Sequence, residues 1–400
     1  MANGVVYNGR GWCIAEKEWS AARSVLGQNM VMDGEADDES GDQETKKVPT
    51  APDGFIRQME TSNFTHRNDQ KDVVHLQEKI FYEKVTARKY LKLSDLTQAH
   101  LVELTGSLPH YQNLQVLKIE LFTGEKEQVI AFVQALSTLP LQKLLLKNLR
   151  GPEGIGNVLA EALAAILTDH RSLTEVDLSY CEVSNVGAKA LAKALQRNTT
   201  LTDLRFYGCE IDDFGVEALA DAMQHNKTLT KLHFRDSPFG RVFTPDGKAW
   251  NRIRERLKAN REAAVEALAE ALKHNKTLPK LDLATYGFGV AEVQVLAEAL
   301  QFNTTLTNLN LSGLQIGDES AEALAAALRH NKTLTKLHLG ANQIGRWGFE
   351  ALANALQHNK TLTNLDFNRD HFGHYESHPY QAWNRIWERL KANREAAAEA

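Results

Sequence analysis

Three histidines and one glycine-rich segment have the residue types and spacing that could support chemistry. His371, His374 and His378 lie close together, and imidazoles at such spacing can bind a divalent metal ion. A related segment that follows Phe234 has no histidine, so a solvated aromatic loop is the better interpretation. Residues 151–157 (GPEGIGN) lack the Gly-Lys-Ser/Thr of a phosphate loop and are interpreted as a longer turn between repeats. With no Ser/His/Asp set or carboxylate pair, the sequence predicts no enzyme activity, no cofactor and no metal site.

The three cysteines point to structure rather than to chemistry. Cys181 and Cys209 occupy matching positions of two similar segments, which favours two buried turn cysteines over a disulfide or a metal site. Cys13 is isolated. Few cysteines and an N-terminus without an apolar signal core predict a reducing compartment, and we expect a cytoplasmic protein.

The composition excludes two classes of partner. The formal net charge is −5 and the pI is near 6.3, so there is no basic field for nucleic acid. No run of about 18 apolar residues is present, so we expect no membrane partner. No small-molecule substrate is expected either, because no catalytic set can be assembled.

A repeat of 28 residues accounts for most of the chain. LTEVDLSYCEVSNVGAKALAKALQRNTT is followed by LTDLRFYGCEIDDFGVEALADAMQHNKT, and each copy reads as a short alternating strand, a turn and an amphipathic helix. Neither half can bury its apolar face alone, so the units must stack as an α/β solenoid. Regular units begin at Leu173, Leu201, Leu229, Leu278, Leu306, Leu334 and Leu362, and degenerate units begin near Leu91, Leu114 and Leu141.

Asparagine recurs where each repeat helix should end. These residues form Asn-x-Thr triplets, which are also glycosylation acceptors, but a helix-terminating role explains their fixed position better. The triplets begin at Asn198, Asn226, Asn275, Asn303, Asn331 and Asn359.

The segments outside the regular repeats suggest five regions. Residues 1–32 hold a short helical remnant, residues 33–54 an acidic disordered linker with DGEADDESGDQE, and residues 55–86 a helical N-terminal cap. Leucine-rich repeats are predicted over 87–381, with an insert at 235–255, and a capping helix over 382–400. In the cap, the spacing places four apolar side chains on one helix face, namely Val73, Leu76, Ile80 and Phe81.

The insert has a twin at the end of the chain. AWNRI-x-ERLKANREAA occurs after Phe234 and again after Phe367, and its spacing predicts a helix with Trp250, Ile253 and Leu257 on one side. We expect both copies to form loop-helix projections on the same edge. The second copy is either a true cap or the start of another copy, and the cap is favoured slightly.

The pattern L-x-x-L-x-L-x-x-(N/C)-x-(I/V/L) resembles leucine-rich repeats of the ribonuclease-inhibitor type. The resemblance implies a horseshoe with parallel strands on its concave face and helices on its convex face. The position after the strand normally holds Asn or Cys, which satisfies backbone groups of the turn. Cys181, Cys209 and Asn342 match it, whereas Tyr286 and Leu314 break it, so irregular turns are expected there.

Two further resemblances leave alternatives open. Residues 7–19 (YNGRGWCIAEKEW) resemble the end of a Toll/interleukin-receptor-like domain, in which the glutamate, here Glu16, serves NAD cleavage in the members that are enzymes. The chain could then be the sensor portion of a receptor whose effector domain is missing. Ran GTPase-activating proteins are similar in repeat type, length and period, but their functional arginine has no matching motif here.

The polar positions of the repeat strands are the candidate binding residues. Because alternate residues of a strand point to opposite faces, the non-leucine positions line the hollow. Their charges alternate in sign with amides between them, which suits a protein partner rather than phosphates; the plainer alternative is a merely solvated surface. The sequence therefore predicts a non-enzymatic scaffold or sensor that binds a protein partner through Glu175, Asp177, Asp203, Arg205, Lys231, His233, Lys280, Asp282, Asn308, Asn310, Lys336, His338 and Asp366.

Overall fold

Strands and helices alternate through the chain. The computed structural model describes residues 51–60, 67–234, 247–284, 288–367 and 378–399. The strands are β1 (Tyr90–Leu96), β2 (Val116–Thr123), β3 (Lys143–Arg150), β4 (Glu175–Asp177), β5 (Asp203–Arg205), β6 (Lys231–His233), β7 (Lys280–Asp282), β8 (Asn308–Asn310), β9 (Lys336–His338) and β10 (Asn364–Asp366). The helices are α1 (Pro52–Glu60), α2 (Arg67–Thr86), α3 (Gln98–Ser107), α4 (Lys126–Leu136), α5 (Ile155–Leu167), α6 (Asn185–Leu195), α7 (Asp213–Met223), α8 (Lys248–Lys273), α9 (Val290–Phe302), α10 (Asp318–His330), α11 (Arg346–Leu356) and α12 (His378–Glu399).

The strands form two open parallel sheets, as an α/β leucine-rich repeat solenoid requires. The first sheet runs in order from β1 to β6, and the second contains β7 to β10. Strands β5 and β6 lie side by side in parallel, with Asp203 opposite Lys231 and Arg205 opposite His233, which confirms the predicted neighbourhood. Within the described ranges, pairing in the first sheet ends at β6 and pairing in the second begins at β7. The chain divides into two compact units, residues 1–257 and 258–400.

Apolar residues of the strands and helices fill a separate core in each unit. The central residues of β4, β5 and β6 are Val176, Leu204 and Leu232, and all are buried. Leucines of the following helices, such as Leu191 and Leu219, are also fully buried. Burying a leucine side chain stabilises the fold by about 1.5–3 kcal/mol, so this repeated spacing is sufficient reason for the units to stack. None of the helices in the ranges given above is long and apolar enough to cross a bilayer.

A ladder of asparagines joins each repeat to the one before it. In Asn226, for example, Nδ2 donates to the Leu195 carbonyl at 2.8 Å, while Oδ1 accepts from the Thr228 and Leu229 amides at 3.0 and 2.7 Å. Asn303 and Asn331 cap the ends of their helices, and the other triplets begin two or three residues after a helix end, as the helix-terminating interpretation expects. The buried members of this asparagine ladder are Asn198, Asn226, Asn303, Asn331 and Asn359.

A second ladder explains the threonine that precedes each strand. Thr202 Oγ1 donates to the Thr174 carbonyl at 3.0 Å, and Thr230 Oγ1 donates to the Thr202 carbonyl at 3.1 Å. In the second sheet Thr335 and Thr363 repeat the contact. The threonine after the leucine in the recurring Asn-x-Thr-Leu-Thr therefore supplies side-chain hydrogen bonds between successive repeats.

Two helices occupy the region of the predicted N-terminal cap, and the buried face of α2 differs from the expected one at Leu76. Helix α1 begins at Pro52, inside the predicted linker, and α2 follows after residues 61–66. Phe81 is buried as expected, but Leu76 is exposed. Gln77, Phe81 and Val85 form the buried side, since residues four apart share one helix face.

The twin helices make equivalent contacts in the two units. Ile253 and its counterpart Ile386 are fully buried, and Leu257 is also buried, which confirms the predicted apolar side. Arg252 pairs with Glu217 at 2.5 Å, and Arg385 pairs with Glu350 at the same distance. The preceding segments, 235–246 and 368–377, lie outside the described residues, so their expected position on a common edge stays a prediction.

The glycine-rich segment 151–157 is a turn only in part. Residues 151–154 connect β3 to α5, and Ile155 begins the helix after Gly154, whose φ is 78°. Helix α5 has 13 residues, compared with 11 in α6. The longer interval before Leu173 therefore comes from the helix as well as from the turn.

Candidate functional site

The predicted polar residues form two rows across each sheet. In the first sheet Glu175, Asp203 and Lys231 lie in register on β4, β5 and β6. All these residues lie on the face opposite the buried central side chains, because successive strand residues alternate. The second row of the first sheet contains Asp177, Arg205 and His233. In the second sheet one row contains Lys280, Asn308, Lys336 and Asn364. The other row contains Asp282, Asn310, His338 and Asp366.

Arg205 is the centre of a charge network on the first sheet. Its Nη2 donates to Asp203 Oδ2 at 2.7 Å and lies 2.8 Å from Glu175 Oε1 on the neighbouring strand. Burial would lower the pKa of Arg205, but the hydrogen bond and charge of Asp203, with the charges of Glu175 and Asp177, raise it. The guanidinium is therefore fixed and permanently charged.

Two of the predicted contact residues are buried instead of facing solvent. Asp177 is 1% exposed and Asp203 is 6% exposed. Asp177 accepts hydrogen bonds from the Ser179 amide at 3.0 Å and from the Ser179 hydroxyl, and pairs with Lys147 at 3.2 Å. These carboxylates orient the residues around them, because a buried charge is tolerated only with such partners.

The end of the first sheet has two basic side chains of reduced basicity. Burial lowers the pKa of Lys231, although the Asp203 charge opposes the effect. Burial also lowers the pKa of His233, and Asp203 again opposes it. His233 Nε2 lies 3.6 Å from Asp203 Oδ1, and its ring lies 5.8 Å from that of Tyr207. At neutral pH His233 is thus a neutral, half-exposed ring beside an aromatic neighbour.

The sequence reasoning missed the polar residues of the degenerate repeats. Lys92, Lys118, Glu120, Lys143 and Lys147 continue the same face across β1, β2 and β3. Lys143 reaches Glu175 at 3.4 Å, which joins this basic part to the Arg205 network. The alternation in YLKLSDL, NLQVLKIEL and LQKLLL was the signal that could have found them.

The polar rows of the second sheet are more exposed than those of the first. Lys280, Asp282, Lys336 and Asp366 are exposed. Across its strands, Asn310 Nδ2 lies 3.2 Å from Asp282 Oδ2, and His338 Nδ1 lies 3.6 Å from Asp366 Oδ2. The same row pattern therefore carries the Arg205 network in the first unit and more exposed side chains in the second.

The cysteines behave as the repeat positions predict. Cys181 Sγ donates to the Leu146 carbonyl and Cys209 Sγ to the Leu178 carbonyl, both at 3.2 Å. Both thiols are free, and burial raises the pKa of Cys209 to about 11 and that of Cys181 further.

Within the described ranges no cluster of His, Cys, Asp and Glu could hold a metal ion. Glu16, His371, His374 and Tyr286 lie outside those ranges.

Comparisons with known proteins match parts of the chain. A family model for leucine-rich repeats matches residues 169–192 and 197–220, and a model for the leucine-rich domain of tropomodulins and leiomodins (TMOD/LMOD) matches residues 287–376. No curated protein gives a significant match.

Two solved structures are similar over segments. The C-terminal domain of tropomodulin from Caenorhabditis elegans is 16% identical, covers 34% of this chain and 95% of its own, and has a TM-score of 0.25. The leiomodin-1 actin-binding site 2 is 13% identical, covers 68% and 90%, and has a TM-score of 0.16. Neither superposition is close, and the assignment rests on the family models together with the parallel strands and their repeated turns. The chain is a leucine-rich repeat protein.

Proposed function

We propose that the chain is a protein-binding scaffold that holds its partner on the polar strand face, with Arg205 as the main contact. One observation carries the proposal: Arg205 is fixed through Nη2 alone. Both of its carboxylate contacts use that atom, and within the described residues Nε and Nη1 make no hydrogen bond. The side chain is 29% exposed, so donors in a set orientation remain available to a partner.

A fixed arginine favours binding because its ordering has already taken place in the free protein. Freezing a long side chain at an interface costs about 0.5–1.5 kcal/mol, and Glu175 and Asp203 remove much of that cost. Arginine is also over-represented among the residues that dominate interface energies. The expected complement on the partner is a carboxylate or a carbonyl oxygen, which matches the planar donor edge of guanidinium.

The alternation of charge supports a protein rather than a nucleic acid. The face combines lysines on β1 to β3 with Glu175, Asp177 and Asp203, so acidic groups interrupt any basic stripe. A surface that tracks phosphates carries nearly continuous positive charge. A mixed face instead selects a partner with the complementary pattern, and the exposed row with Lys280 and Lys336 is proposed as a second contact area.

The test compares variants of the immobilised chain by quantitative pull-down from lysate. Arg205→Gln should lose the specifically enriched protein, and Arg205→Lys should lose part of it because the ammonium keeps the charge but not the planar donors. Lys336→Glu tests the second sheet. Arg197→Gln is the matched control, since Arg197 is exposed beyond the end of α6. Equal recovery with Arg205→Gln and Arg197→Gln, in variants that keep the wild-type circular dichroism, would contradict the proposal.

A further inference from the structure

A second surface of the first unit exposes apolar side chains at the carboxyl ends of β4 and β5. Tyr180, Val186 and Phe214 are 52%, 54% and 74% exposed. Val186 and Phe214 hold the same place, the second residue of α6 and of α7. Neighbouring large apolar side chains on a surface mark interaction sites, whereas single exposed ones do not. We call the surface formed by Tyr180, Glu182, Val186, Glu210 and Phe214 the strand-end edge.

The backbone holds the two turns of the strand-end edge against each other. The Glu210 amide donates to the Val183 carbonyl at 2.8 Å. Asn185 Nδ2 donates to Asp212 Oδ1 at 2.7 Å, and Asn185 Oδ1 accepts from the Asp212 amide at 3.1 Å. The starts of α6 and α7, which carry Val186 and Phe214, are therefore directly linked.

The Tyr180 ring is seated on a glycine of the next repeat. Gly208 has a φ of 63°, and a Cβ built there would lie 2.3 Å from a carbon of the Tyr180 ring. Only glycine leaves room for the ring, so the exposed tyrosine has a fixed position. Aromatic side chains with defined positions lose little entropy on binding, which suits an anchor site.

The strand-end edge also carries carboxylates without a basic neighbour. Glu182, Glu210 and Asp213 are exposed, and no lysine, arginine or histidine of the described part of the chain forms an ion pair with them. By contrast, Glu217 and Asp221 on α7 both pair with Arg252. The uncompensated negative charge is thus concentrated beside the exposed aromatic residues.

The second unit shows that the fold does not need these acidic residues. The repeats that begin at Leu306 and Leu334 have Gln315 and Gln343 at the positions of Glu182 and Glu210. Their turns are held in the same way, with the Gln343 amide donating to the Ile316 carbonyl at 2.9 Å. The turn is therefore held by the backbone and does not require a carboxylate at this position, so Glu182 and Glu210 are not needed to form it.

We propose that the strand-end edge binds a partner segment in which lysine or arginine flanks a bulky apolar side chain. The apolar side chain would pack on Tyr180 and Phe214, and the basic groups would pair with Glu182 and Glu210. Charge complementarity selects this occupant, since an acidic segment would be repelled. The surface is separate from the Arg205 face, so the inference stands or falls independently of the proposed function.

The test is a selection from a displayed library of random peptides against the full chain. Peptides with Lys or Arg beside Leu, Phe or Met should be enriched, and the double variant Phe214→Ser/Glu210→Gln should lose that enrichment. A labelled peptide from the selection should bind at least about tenfold more weakly to this variant, and more weakly at high salt. Phe302→Ser is the control, because Phe302 is 65% exposed at the end of α9.

Three results would overturn the proposal. The first is equal enrichment on wild-type chain and double variant, or an enriched set without basic residues. The second is a dimer of the chain that Phe214→Ser dissociates, which would assign the edge to a second copy. The third is enrichment that begins only after residues 235–246 are deleted, which would assign it to that segment of the same chain. Near-native circular dichroism of Glu210→Gln alone keeps the comparison valid if the serine variant unfolds.

Discussion

Asn342 supplies the hydrogen bonds that Leu314 cannot make in its own turn. Asn342 Oδ1 accepts from the Leu314 amide at 2.9 Å and from the Ile316 amide at 3.1 Å, although it belongs to the following repeat. Its Nδ2 donates to the Leu311 and Leu339 carbonyls at 2.9 and 3.0 Å. The expected irregularity at Leu314 is therefore wrong, because one buried amide serves two turns and β8 keeps its parallel register.

Replacing this amide should destabilise the second unit strongly. In Asn342→Ala the amides of Leu314 and Ile316 are left buried without an acceptor, and each such group costs about 1–3 kcal/mol. We expect the free energy of unfolding to fall by about 2–4 kcal/mol in urea denaturation. Gln343→Ala, an adjacent exposed side chain, is the control and should have little effect. A loss for Asn342→Ala no larger than for the control would contradict the assigned role.

His170 should make the stability of the first unit depend on pH. It occupies the ladder position that Asn198 holds one repeat later, and its Nδ1 accepts from the Leu173 amide at 3.2 Å. Burial lowers the pKa of His170, and hydrogen bonding at the Leu136 and Leu139 backbone offsets only part of this. As pH falls below about 6.5 the unfolded chain takes up the proton first. The contribution of His170 to the free energy of unfolding is therefore fully present above about pH 6.5 and is lost as the pH falls toward the lower pKa of the folded state.

The variant His170→Asn restores the ladder residue and removes this titration. We expect a smaller loss of the free energy of unfolding between about pH 7.5 and pH 5.5 than in the wild type. His225→Asn, the same change at an exposed histidine, controls for the removal of a histidine elsewhere. An unchanged pH dependence in His170→Asn, matching that of His225→Asn, would show that the buried ring does not titrate in this range.

Ladder asparagines should differ in their effect on stability according to their contacts. Asn331 is buried and bonds back to Leu300 and Asn303, whereas Asn275 is half-buried and its Nδ2 bonds only within its own turn, to Leu278. We expect Asn331→Ala to lower the free energy of unfolding by about 2 kcal/mol more than Asn275→Ala. Chemical denaturation of the two variants measures the difference, and equal losses would rule out the inter-repeat bond as the cause.

The two turn thiols should be unreactive until the first unit unfolds. The raised pKa values of Cys181 and Cys209 leave almost no thiolate at neutral pH, and both are buried. In a Cys13→Ser background, alkylation followed by mass spectrometry should label neither thiol in the native chain and both in urea. Rapid native labelling of Cys209 alone would mean that its turn opens without global unfolding.

The rows of the strand face were predictable because a strand has a period of two. Leu204 and Phe206 lie two residues apart and are both buried, so Asp203 and Arg205 had to share the other face of β5. Their burial was not predictable in the same way. Asp203 accepts a hydrogen bond from Arg205 and lies 3.6 Å from His233 on β6, and such contacts depend on the lengths of side chains on neighbouring strands.

Contacts between repeats were the part that the sequence did not reveal. The compensation of Leu314 by Asn342 crosses 28 residues, and a pattern read within one repeat does not show it. Likewise Leu76 and Gln77 are adjacent in α2, and helical spacing alone did not decide which of them faces the core. Tertiary packing buries the polar Gln77 and leaves the apolar Leu76 exposed, which is the reverse of what side-chain polarity alone would predict.

The asparagine ladder makes each repeat depend on the repeat before it, and not on the repeat after it. Every buried rung takes its acceptor from the preceding helix, as Asn359 does from Leu328 and Asn226 from Leu195. Trimming repeats from the carboxyl side therefore leaves the remaining rungs intact, whereas trimming from the amino side orphans a donor in the next repeat. For the asparagine ladder alone, a cut at the carboxyl end is the milder one, and the loss of a helix end should affect the rung of the repeat that follows it.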